Sequence, residues 1–466
     1  MRKLFPLTII LLAIALAGCS GKRANINSKE AQSPLACALE VAKSVEHPEL
    51  KSEALINIAK GYLKAGKRGK ALKVFERAIE VTKELEGTLT PSWRLLEIAD
   101  ICIEASEKKK AKETLFQAKQ IIDKIGDPAI KAGLLTNIAS SYFRLGEKDK
   151  AKEILPQARE AAGEGDDLFN KSFQLRHILE VYLEMGERDK ADEILAEMAK
   201  IAEESKPPQY ALLSLVRGYT KTRRYDEAFT IAQKLPDDFL LKARVLRDIT
   251  RGCVETGNRD KAIEITGKAY KMAKVIQDSA LRGEELIAIA DMEAEVGEKD
   301  KAKKNLSEAL SLTEKIKDSW NKTMAFIWIA TVYEEMGEKE KALDALRRAS
   351  ASTGELPSFT GKEICDVYLR LGAYDEAYKV IKRVSNDATK VEVITEIANK
   401  YAEAGKKDKA SDLFYRALKI ARRIEYPDEQ IKALVAIDGA YRKAGLAFEK
   451  KGKKVLVKIL NDLKKK

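Results

Sequence analysis

Apolar residues recur at helical spacing along most of the chain, in pairs of segments separated by a short polar turn. The first clear pair has apolar residues on both sides of Gly66: Ala54, Leu55, Ile58, Ala59 and Tyr62, then Ala71, Val74, Phe75, Ala78 and Ile79. Spacings of three and four place such residues on one face of an α-helix. A glycine after the first segment suits the left-handed conformation that ends many helices. The pattern predicts two amphipathic helices joined by a tight turn.

The turn recurs through the chain with nearly the same sequence. Gly-Glu-Lys-Asp-Lys-Ala stands at residues 146–151 and 297–302, and near copies begin at Gly186, Gly257, Gly337 and Gly405. Weaker versions begin at Gly66 and Gly372, and degenerate ones at Ser106, Arg223 and Gly445. Consecutive turns lie 33 to 40 residues apart, a period typical of solenoids whose repeats bury their apolar faces against each other. We predict an all-α protein, an α-α superhelix of about ten to eleven helical hairpins.

Two further positions of the turn have a physical interpretation. An aspartate recurs three residues after the turn, as in Asp149, Asp189 and Asp300, and we expect it to cap the second helix by accepting hydrogen bonds from free N–H groups. The alanine two residues further on marks where the two helices cross closely, because a larger side chain would not fit there.

Five positions of each unit resemble the tetratricopeptide repeat. They are a small residue seven before the turn glycine, an aromatic four before, alanine five after, a large apolar residue nine after and alanine twelve after. The first unit has Ala59, Tyr62, Ala71, Phe75 and Ala78 at these positions. The resemblance covers roughly residues 50–445 and implies an extended groove that binds a protein or peptide. Departures include Glu293 in place of the tyrosine, and Ser106 and Arg223 in place of the glycine.

The N-terminus reads as an export signal followed by a tether. Arg2 and Lys3 precede an apolar run over residues 4–17, which ends in Leu-Ala-Gly-Cys at residues 16–19. This resembles the lipobox of bacterial lipoproteins, which implies that residues 1–18 are removed as a signal peptide and that Cys19 is acylated. An ordinary secretory signal, with Cys19 a plain thiol, stays open. Residues 19–33 would then be a lipidated tether.

The remaining boundaries follow the repeat. We assign residues 34–449 to the repeat solenoid, and expect a capping helix over about residues 30–45, because Ala31, Leu35 and Ala38 follow the pattern of second helices. Residues 450–466 combine apolar residues with many lysines and are predicted to form a basic capping helix. Contact of this helix with an anionic membrane surface is the alternative.

Composition narrows the function. The formal net charge is +12 with 34% charged residues, which in the cytoplasm would suggest nucleic acid; for an exported chain we expect no nucleic-acid partner.

The two histidines, His47 and His177, are too few for most acid–base or zinc sites, and no phosphate-binding glycine loop is found. We therefore predict no catalytic residues, no metal site, no cofactor and no small-molecule substrate. The other four cysteines read as small buried apolar residues.

The resemblance also implies which residues line the groove. In tetratricopeptide proteins the first helix of each pair forms the concave face. Transferred onto this chain, the groove positions carry the basic residues Arg176, Arg217, Lys221, Arg244, Arg247 and Arg251. The next units present Glu284, Asp291, Glu295, Glu334 and Glu335. Adjacent patches of opposite charge would orient a bipolar partner, although a chain this charged can also show such stripes by chance.

From these features we expect a membrane-anchored scaffold or assembly factor at the cell envelope that binds a protein or peptide. The location would be the periplasmic side of the inner or outer membrane, or the cell surface. Two alternatives stay open: binding of anionic cell-wall glycan or polysaccharide through the basic groove patch, and a spacer that positions another complex.

Overall fold

The computed structural model describes residues 32–165, 167–206, 208–235, 239–354 and 356–464; the side chains of residues 239–241, 243 and 244 are also outside the description. The described chain is helical almost throughout, with one isolated β-bridge between Leu356 and Val384. The prediction of an all-α superhelix is confirmed.

Helices alternate between a first and a second member of each hairpin. The first helices are α2 (Pro48–Lys64), α4 (Leu89–Glu104), α6 (Pro128–Arg144), α8 (Leu168–Glu184), α10 (Gln209–Lys221), α12 (Phe239–Glu255), α14 (Ser279–Glu295), α16 (Ser319–Glu335), α18 (Ser358–Arg370), α20 (Asp387–Glu403) and α22 (Pro427–Lys443). The second helices are α3 (Arg68–Lys83), α5 (Lys108–Ile122), α7 (Lys148–Glu164), α9 (Arg188–Glu204), α11 (Tyr225–Gln233), α13 (Arg259–Ala273), α15 (Lys299–Thr313), α17 (Lys339–Ala351), α19 (Tyr374–Ile381) and α21 (Lys407–Ala421). The chain begins with α1 (Pro34–Val41) and a 3₁₀ turn (Ala42–Ser44), and ends with α23 (Lys450–Leu463).

The first helices form the inner layer of the solenoid. Each contacts the first helices of both neighbouring units, whereas successive second helices such as α3 and α5 contact each other far less. Helices on the shorter circumference of a curved stack lie closer together, so the first helices line the concave wall.

The turn glycines have the conformation that the sequence predicts. Gly66 has a φ of 67°, and the N–H of Lys67 donates to the carbonyl of Tyr62 at 2.9 Å, which closes a Schellman motif. Ser106 and Arg223 hold the same left-handed conformation without being glycine, with φ values of 59° and 63°. The fold therefore imposes this backbone conformation even where the residue type disfavours it.

The alanine five residues after each turn is fully buried, as expected for a close helix crossing. Ala71, Ala151, Ala302 and Ala410 are each 0% exposed. The apolar faces of both layers form one continuous core along the described repeats. Cys37, Cys102, Cys253 and Cys365 are free and belong to this core, which confirms their interpretation as small buried residues.

The expected capping by the repeated aspartates is wrong. The second helices begin two residues after the turn glycine, so Asp149 lies inside the first turn of α7, and no side chain caps that helix. The carboxylate of Asp149 instead interacts favourably with the positive end of the helix dipole. Side-chain caps occur instead on first helices, where Asp127, Asp278 and Asp318 accept hydrogen bonds from backbone N–H groups. These aspartates stand at the ends of the linkers between units, outside the repeated turn sequence on which the prediction was based.

The two ends of the solenoid meet. Helix α22 contacts α20 as the next first helix would, but it also contacts α2 in the first unit. The N–H of Leu35 donates to the buried carboxylate of Asp438 at 3.2 Å, and Lys432 pairs with Glu53 at 2.7 Å. The described repeats therefore form a closed ring.

Helix α1 takes the second-helix position beside α22. It packs against α22 in the way that α21 packs against α20, and buries Leu35, Cys37, Ala38 and Val41. We expected a capping helix from its second-helix pattern. The apolar pattern of a second helix is present, but the helix completes the last unit of the ring, and its contact with α22 joins residues 403 positions apart.

Helix α23 covers the junction from outside. It contacts α1 and α21, and its buried residues are Val455, Leu456, Ile459 and Leu460, with Gly452. None of the helices within the described ranges has an apolar stretch long enough to cross a bilayer. The proposed signal and Cys19 lie outside the described residues.

Candidate functional site: the inner wall of the ring

Ion pairs join neighbouring first helices around much of the inner wall. The pairs are Lys432–Glu53, Arg94–Glu53, Lys60–Glu97, Arg144–Asp100, Arg217–Asp248, Arg251–Glu295, Arg370–Glu334, Lys362–Glu392 and Lys443–Glu403. Partly exposed pairs of this kind contribute little each, about 0–1 kcal/mol. Their main effect here is to neutralise charge on the inner wall. A charged side chain without such a partner is therefore an exception on this surface.

Four of the six predicted basic groove residues line one cavity between α8, α10 and α12. The cavity has a volume of about 560 Å³ and is bordered by Arg176, Arg217, Lys221 and Arg251. The structure therefore brings these four residues together around one cavity. Arg247 lines the next cavity with Arg251. The side chain of Arg244 lies outside the described residues.

Carboxylates accompany these basic residues. Arg176 pairs with Glu180 at 2.6 Å, Arg217 with Asp248 at 3.3 Å, and Arg251 with Glu295 at 2.9 Å. The side chain of Arg176 is only 11% exposed. The patch is thus a network of paired charges, weaker as an attractor of polyanions than the basic residues alone would be.

A second cavity lies between α12, α14 and α16, with a volume of about 320 Å³. Arg247 and Arg251 of α12 line it together with the carboxylates of Glu284, Asp291 and Glu335 on α14 and α16, and Arg251 lies 3.8 Å from Asp291. Trp328 lies on its wall and is 42% exposed. The cavity is therefore amphipathic as well as bipolar.

The acidic side of this second cavity is unusual, because carboxylates on adjacent helices face each other. Burial, together with the neighbouring Asp291, Glu295 and Glu334, raises the pKa of Glu335 to about 7. Burial also raises the pKa of Glu284. Because the pKa of Glu335 lies at about 7, the local charge changes near neutral pH.

Trp328 is the residue that sequence reasoning missed. It lies nine residues before Gly337, whereas the groove positions taken from the family resemblance are thirteen, ten, six, three and two before the glycine. The position ten before is buried in several units, as Ile56, Ile287 and Ile327 show. In this ring that position packs between neighbouring first helices. The signal available in the sequence was a tryptophan within an otherwise apolar stretch of this helix.

A second aromatic group lies on the inner wall next to the basic cavity. The ring of Phe169 contacts that of Tyr210 at 5.1 Å between centroids, and Phe173 stacks edge-on against His177 at 4.6 Å. The guanidinium of Arg176 lies over the Phe173 ring. Phe169, Phe173 and Tyr210 are 38–51% exposed, so this group can contact a partner.

The described residues offer little for catalysis. Within them, no cluster of three or more His, Cys, Asp or Glu side chains is arranged to hold a metal ion. The thiols are buried, and burial raises the pKa of Cys102 to about 11, so that thiol is protonated and unreactive at neutral pH. The arrangement supports binding through charge, hydrogen bonds and aromatic contact.

Family models identify the repeats. Three segments match models of the tetratricopeptide repeat: residues 54–88, 132–161 and 324–351. Each covers most of a hairpin that the structure shows, α2–α3, α6–α7 and α16–α17. Three of the hairpins therefore match the tetratricopeptide repeat, a repeat typical of protein-interaction scaffolds.

No curated protein matches the chain significantly. Among solved structures, the chain is similar to Ton1535 from Thermococcus onnurineus NA1, with 16% identity and a TM-score of 0.30 over 78% of this chain and 95% of that one. It is also similar to a tetratricopeptide repeat protein from Parabacteroides merdae ATCC 43184, with 18% identity and a TM-score of 0.26 over 60% of this chain and 98% of that one. A third similar structure is the apo form of RapI, with 15% identity and a TM-score of 0.30 over 72% of this chain and 98% of that one. At these scores the similarities carry no argument about function.

Proposed function

We propose that the protein is a lipid-anchored scaffold outside the inner membrane, which binds a protein partner on the inner wall of its ring. The tetratricopeptide repeats support the scaffold role. The lipobox-like residues 16–19 support export and acylation at Cys19. Passage to a particular membrane or to the cell surface would depend on the host envelope.

One observation carries the binding site: the second cavity combines an exposed indole with basic side chains from α12 and carboxylates from α14 and α16. A partner segment with an apolar residue for Trp328 and a basic residue for Glu335 would satisfy both the indole and the acidic charge. Arg247 would receive an acidic group. Tryptophan and arginine are enriched among the residues that contribute most to protein interfaces.

Site-specific photo-crosslinking in intact cells tests this assignment. A photoreactive amino acid at Ala288 or Thr331, which line the cavity, is expected to capture the partner. The same amino acid at Trp320, exposed on the first turn of α16 and outside the cavity lining, is the matched control. Equal capture from all three positions, or capture that survives Trp328→Ala, would contradict the site.

The pH dependence of binding gives a second test. Because the pKa of Glu335 is raised to about 7, its carboxyl group becomes charged as the pH rises through that value. A basic partner group should therefore bind more tightly at pH 8 than at pH 6, roughly threefold to tenfold. Glu335→Gln should abolish this difference without unfolding the ring. An unchanged pH profile in the variant would show that Glu335 does not contact the partner.

The glycan alternative makes a distinct prediction. It needs free positive charge in the cavity lined by Arg176, Arg217 and Lys221, and carboxylates pair with both arginines. Steeply salt-dependent binding of acidic polysaccharide, abolished by Arg217→Glu with Lys221→Glu, would favour this alternative over the peptide site. We keep the absence of catalysis, cofactor and nucleic acid as predictions.

The anchor is tested separately. Intact-mass analysis of protein from the native membrane should show loss of residues 1–18 and the added mass of acyl chains on Cys19. Cys19→Ser should release the protein from the membrane fraction. Detection of a mature N-terminus at another residue would support the ordinary secretory signal instead.

A further inference from the structure

The C-terminal helix concentrates positive charge on one side. Residues 449–466 contain eight lysines and two acidic residues, a net charge of +6 in a chain whose net charge is +12. Half of the excess positive charge therefore lies in a segment of 18 residues. Such clusters of lysine beside a membrane attachment are typical of proteins that bind anionic lipid.

The structure separates the two faces of this helix. The apolar face is fully used by the fold, since Leu456 and Ile459 are 0% and 1% exposed against α1 and α21. The opposite face carries the exposed lysines Lys450, Lys451, Lys453, Lys454, Lys458 and Lys464. The helix cannot insert its apolar face into a bilayer without opening the ring. It presents a layer of ammonium groups instead.

Most of these ammonium groups have no carboxylate partner among the side chains that the structure describes. Among the side chains that the structure describes, carboxylates lie within 4.0 Å of Lys451 only, which pairs with Glu449 at 3.1 Å. Lys450, Lys454 and Lys458 lie four residues apart along the helix and have no ion pair there. The inner wall shows the contrast, because its basic residues are paired around much of the ring. Unpaired charge on one exposed face favours binding to an external polyanion.

The N-terminal tether enters the fold beside α23. The thiol of Cys37 lies 4.0 Å from the carbonyl of Leu456 in α23. Ser33, the N-cap of α1, is four residues earlier, which is about 6 Å along a helix axis. The proposed tether of residues 19–33 reaches about 50 Å at full extension. An anchor at Cys19 would therefore attach to the fold at a point close to α23, through a tether of at most about 50 Å.

We propose that the lysine face of α23, the exposed side chains named above, binds the anionic surface of a lipid bilayer. It acts as a second attachment beside the acyl anchor and fixes which side of the ring faces the membrane. The orientation rests on the proposed function, because it needs the anchor at Cys19; the affinity of α23 for anionic lipid does not. A basic patch beside a lipid anchor is a common second membrane signal.

Vesicle co-sedimentation of the full-length chain tests this surface. The quantity measured is the ratio of partition coefficients for vesicles of phosphatidylcholine with 30% phosphatidylglycerol over vesicles of phosphatidylcholine alone. This ratio isolates charge, because the apolar N-terminal residues and any acyl chain contribute equally to both. We expect a ratio well above ten at 50 mM salt that falls towards one at 500 mM salt.

Lysine substitutions test whether the preference for anionic vesicles comes from α23. The variant Lys450→Gln, Lys454→Gln, Lys458→Gln should lower the ratio at least tenfold, since each lysine near an anionic surface contributes about fivefold. The matched control, Lys109→Gln, Lys234→Gln, Lys304→Gln, makes the same charge change at exposed lysines elsewhere and should change the ratio less than twofold. Circular dichroism and thermal unfolding should show both variants folded.

Three results would overturn the proposal: a wild-type ratio near one at low salt, an equal loss in the control variant, or no loss in the α23 variant. None of these three results depends on whether Cys19 is acylated. A chain that carries no acyl group on Cys19 and still shows the lysine-dependent ratio would refute the anchor while leaving the lipid-binding surface intact.

Discussion

At the residue scale, the left-handed turn shows how the repeat constrains individual positions. The N–H of Ser106 donates to the carbonyl of Ile103 at 2.9 Å, and that of Glu107 to Cys102 at 2.7 Å, as at the turns that have glycine. These bonds fix a backbone with φ of 59° at Ser106. A side chain in this conformation costs roughly 1 kcal/mol relative to glycine.

Replacing Ser106 with glycine should therefore stabilise the protein. We expect Ser106→Gly to raise the free energy of unfolding by about 0.5–1 kcal/mol, partly offset by the greater freedom of glycine in the unfolded chain. The midpoint of urea unfolding measures this change. Gly146→Ser, at a turn with φ of 84°, is the reverse control and should destabilise by a similar amount. A lower midpoint for Ser106→Gly would refute the argument.

Glu293 is the second informative residue. It stands where most units have a buried tyrosine, is 5% exposed, and accepts a hydrogen bond from Asn305 at 2.7 Å. Burial raises the pKa of Glu293 to about 7. The unfolded carboxyl group ionises near pH 4.5, so unfolding releases a proton between these values. Stability therefore falls as the pH rises from about 4.5 to 7 and stays lower above that.

Removing this ionisable group should change the pH profile of stability. Glu293→Gln keeps an acceptor for Asn305 and should stabilise the protein by about 2 kcal/mol at pH 8, and by little at pH 4.5. Thermal unfolding across this pH range measures the effect. Glu80→Gln, an exposed position in α3, should leave the profile unchanged. A gain that is independent of pH would show that the pKa of Glu293 is not raised in the native protein.

At the scale of elements, α1 shows that a helix can belong to a unit far away in sequence. Its apolar residues have the spacing of a second helix, and α22 lacks a second helix of its own before the chain continues into α23. Pairing α1 with α22 buries both apolar faces. The buried carboxylate of Asp438 accepts a hydrogen bond from the first turn of α1. The closure is therefore held by packing and by a specific polar contact.

Disrupting α1 should open the ring while leaving the individual hairpins folded. Leu35→Asp places a charge at a fully buried position and should remove several kcal/mol of closure energy. We expect the radius of gyration from small-angle scattering to increase, with helix content by circular dichroism nearly unchanged. Ala36→Asp, a half-buried position on the same helix, is the control and should keep the wild-type radius. An unchanged radius in Leu35→Asp would contradict closure through α1.

At the scale of the whole molecule, closure turns an open solenoid into a ring with one inner wall. An open stack has two ends whose apolar faces need separate caps. In this chain the ends cover each other, so the first unit packs on α22 as each unit packs on its neighbour. The inner wall becomes a bounded surface on which charges are paired between neighbours. The exceptions, at Trp328 and Glu335, become the distinctive positions of the proposed site.

Carbodiimide crosslinking tests closure directly, because it joins amines and carboxylates only in contact. Lys432 and Glu53 lie 2.7 Å apart across the junction, and mass spectrometry of the monomer should find them linked. The pair Lys60–Glu97, at 2.9 Å between adjacent units, is the internal control. In Leu35→Asp the first link should be lost and the second kept. A missing first link in the wild type would mean that the ends do not meet.

The sequence alone determined the repeat, the hairpin and the layer to which each helix belongs. These features are local, because glycine at the turn and alanine at the crossing act within a single hairpin. The positions of Arg176, Arg217, Lys221 and Arg251 on one wall also followed, because stacking similar units aligns equivalent positions.

Only the tertiary structure decided how the ends meet, which basic residues are neutralised, and where the unusual surfaces lie. Closure depends on curvature summed over all units, to which every small rotation between hairpins contributes. The pairing of Arg217 with Asp248 depends on the distance between adjacent helices. The placement of α23 beside the N-terminal helix joins residues more than 400 positions apart. No local pattern encodes such a contact, because only the closed ring brings these residues together.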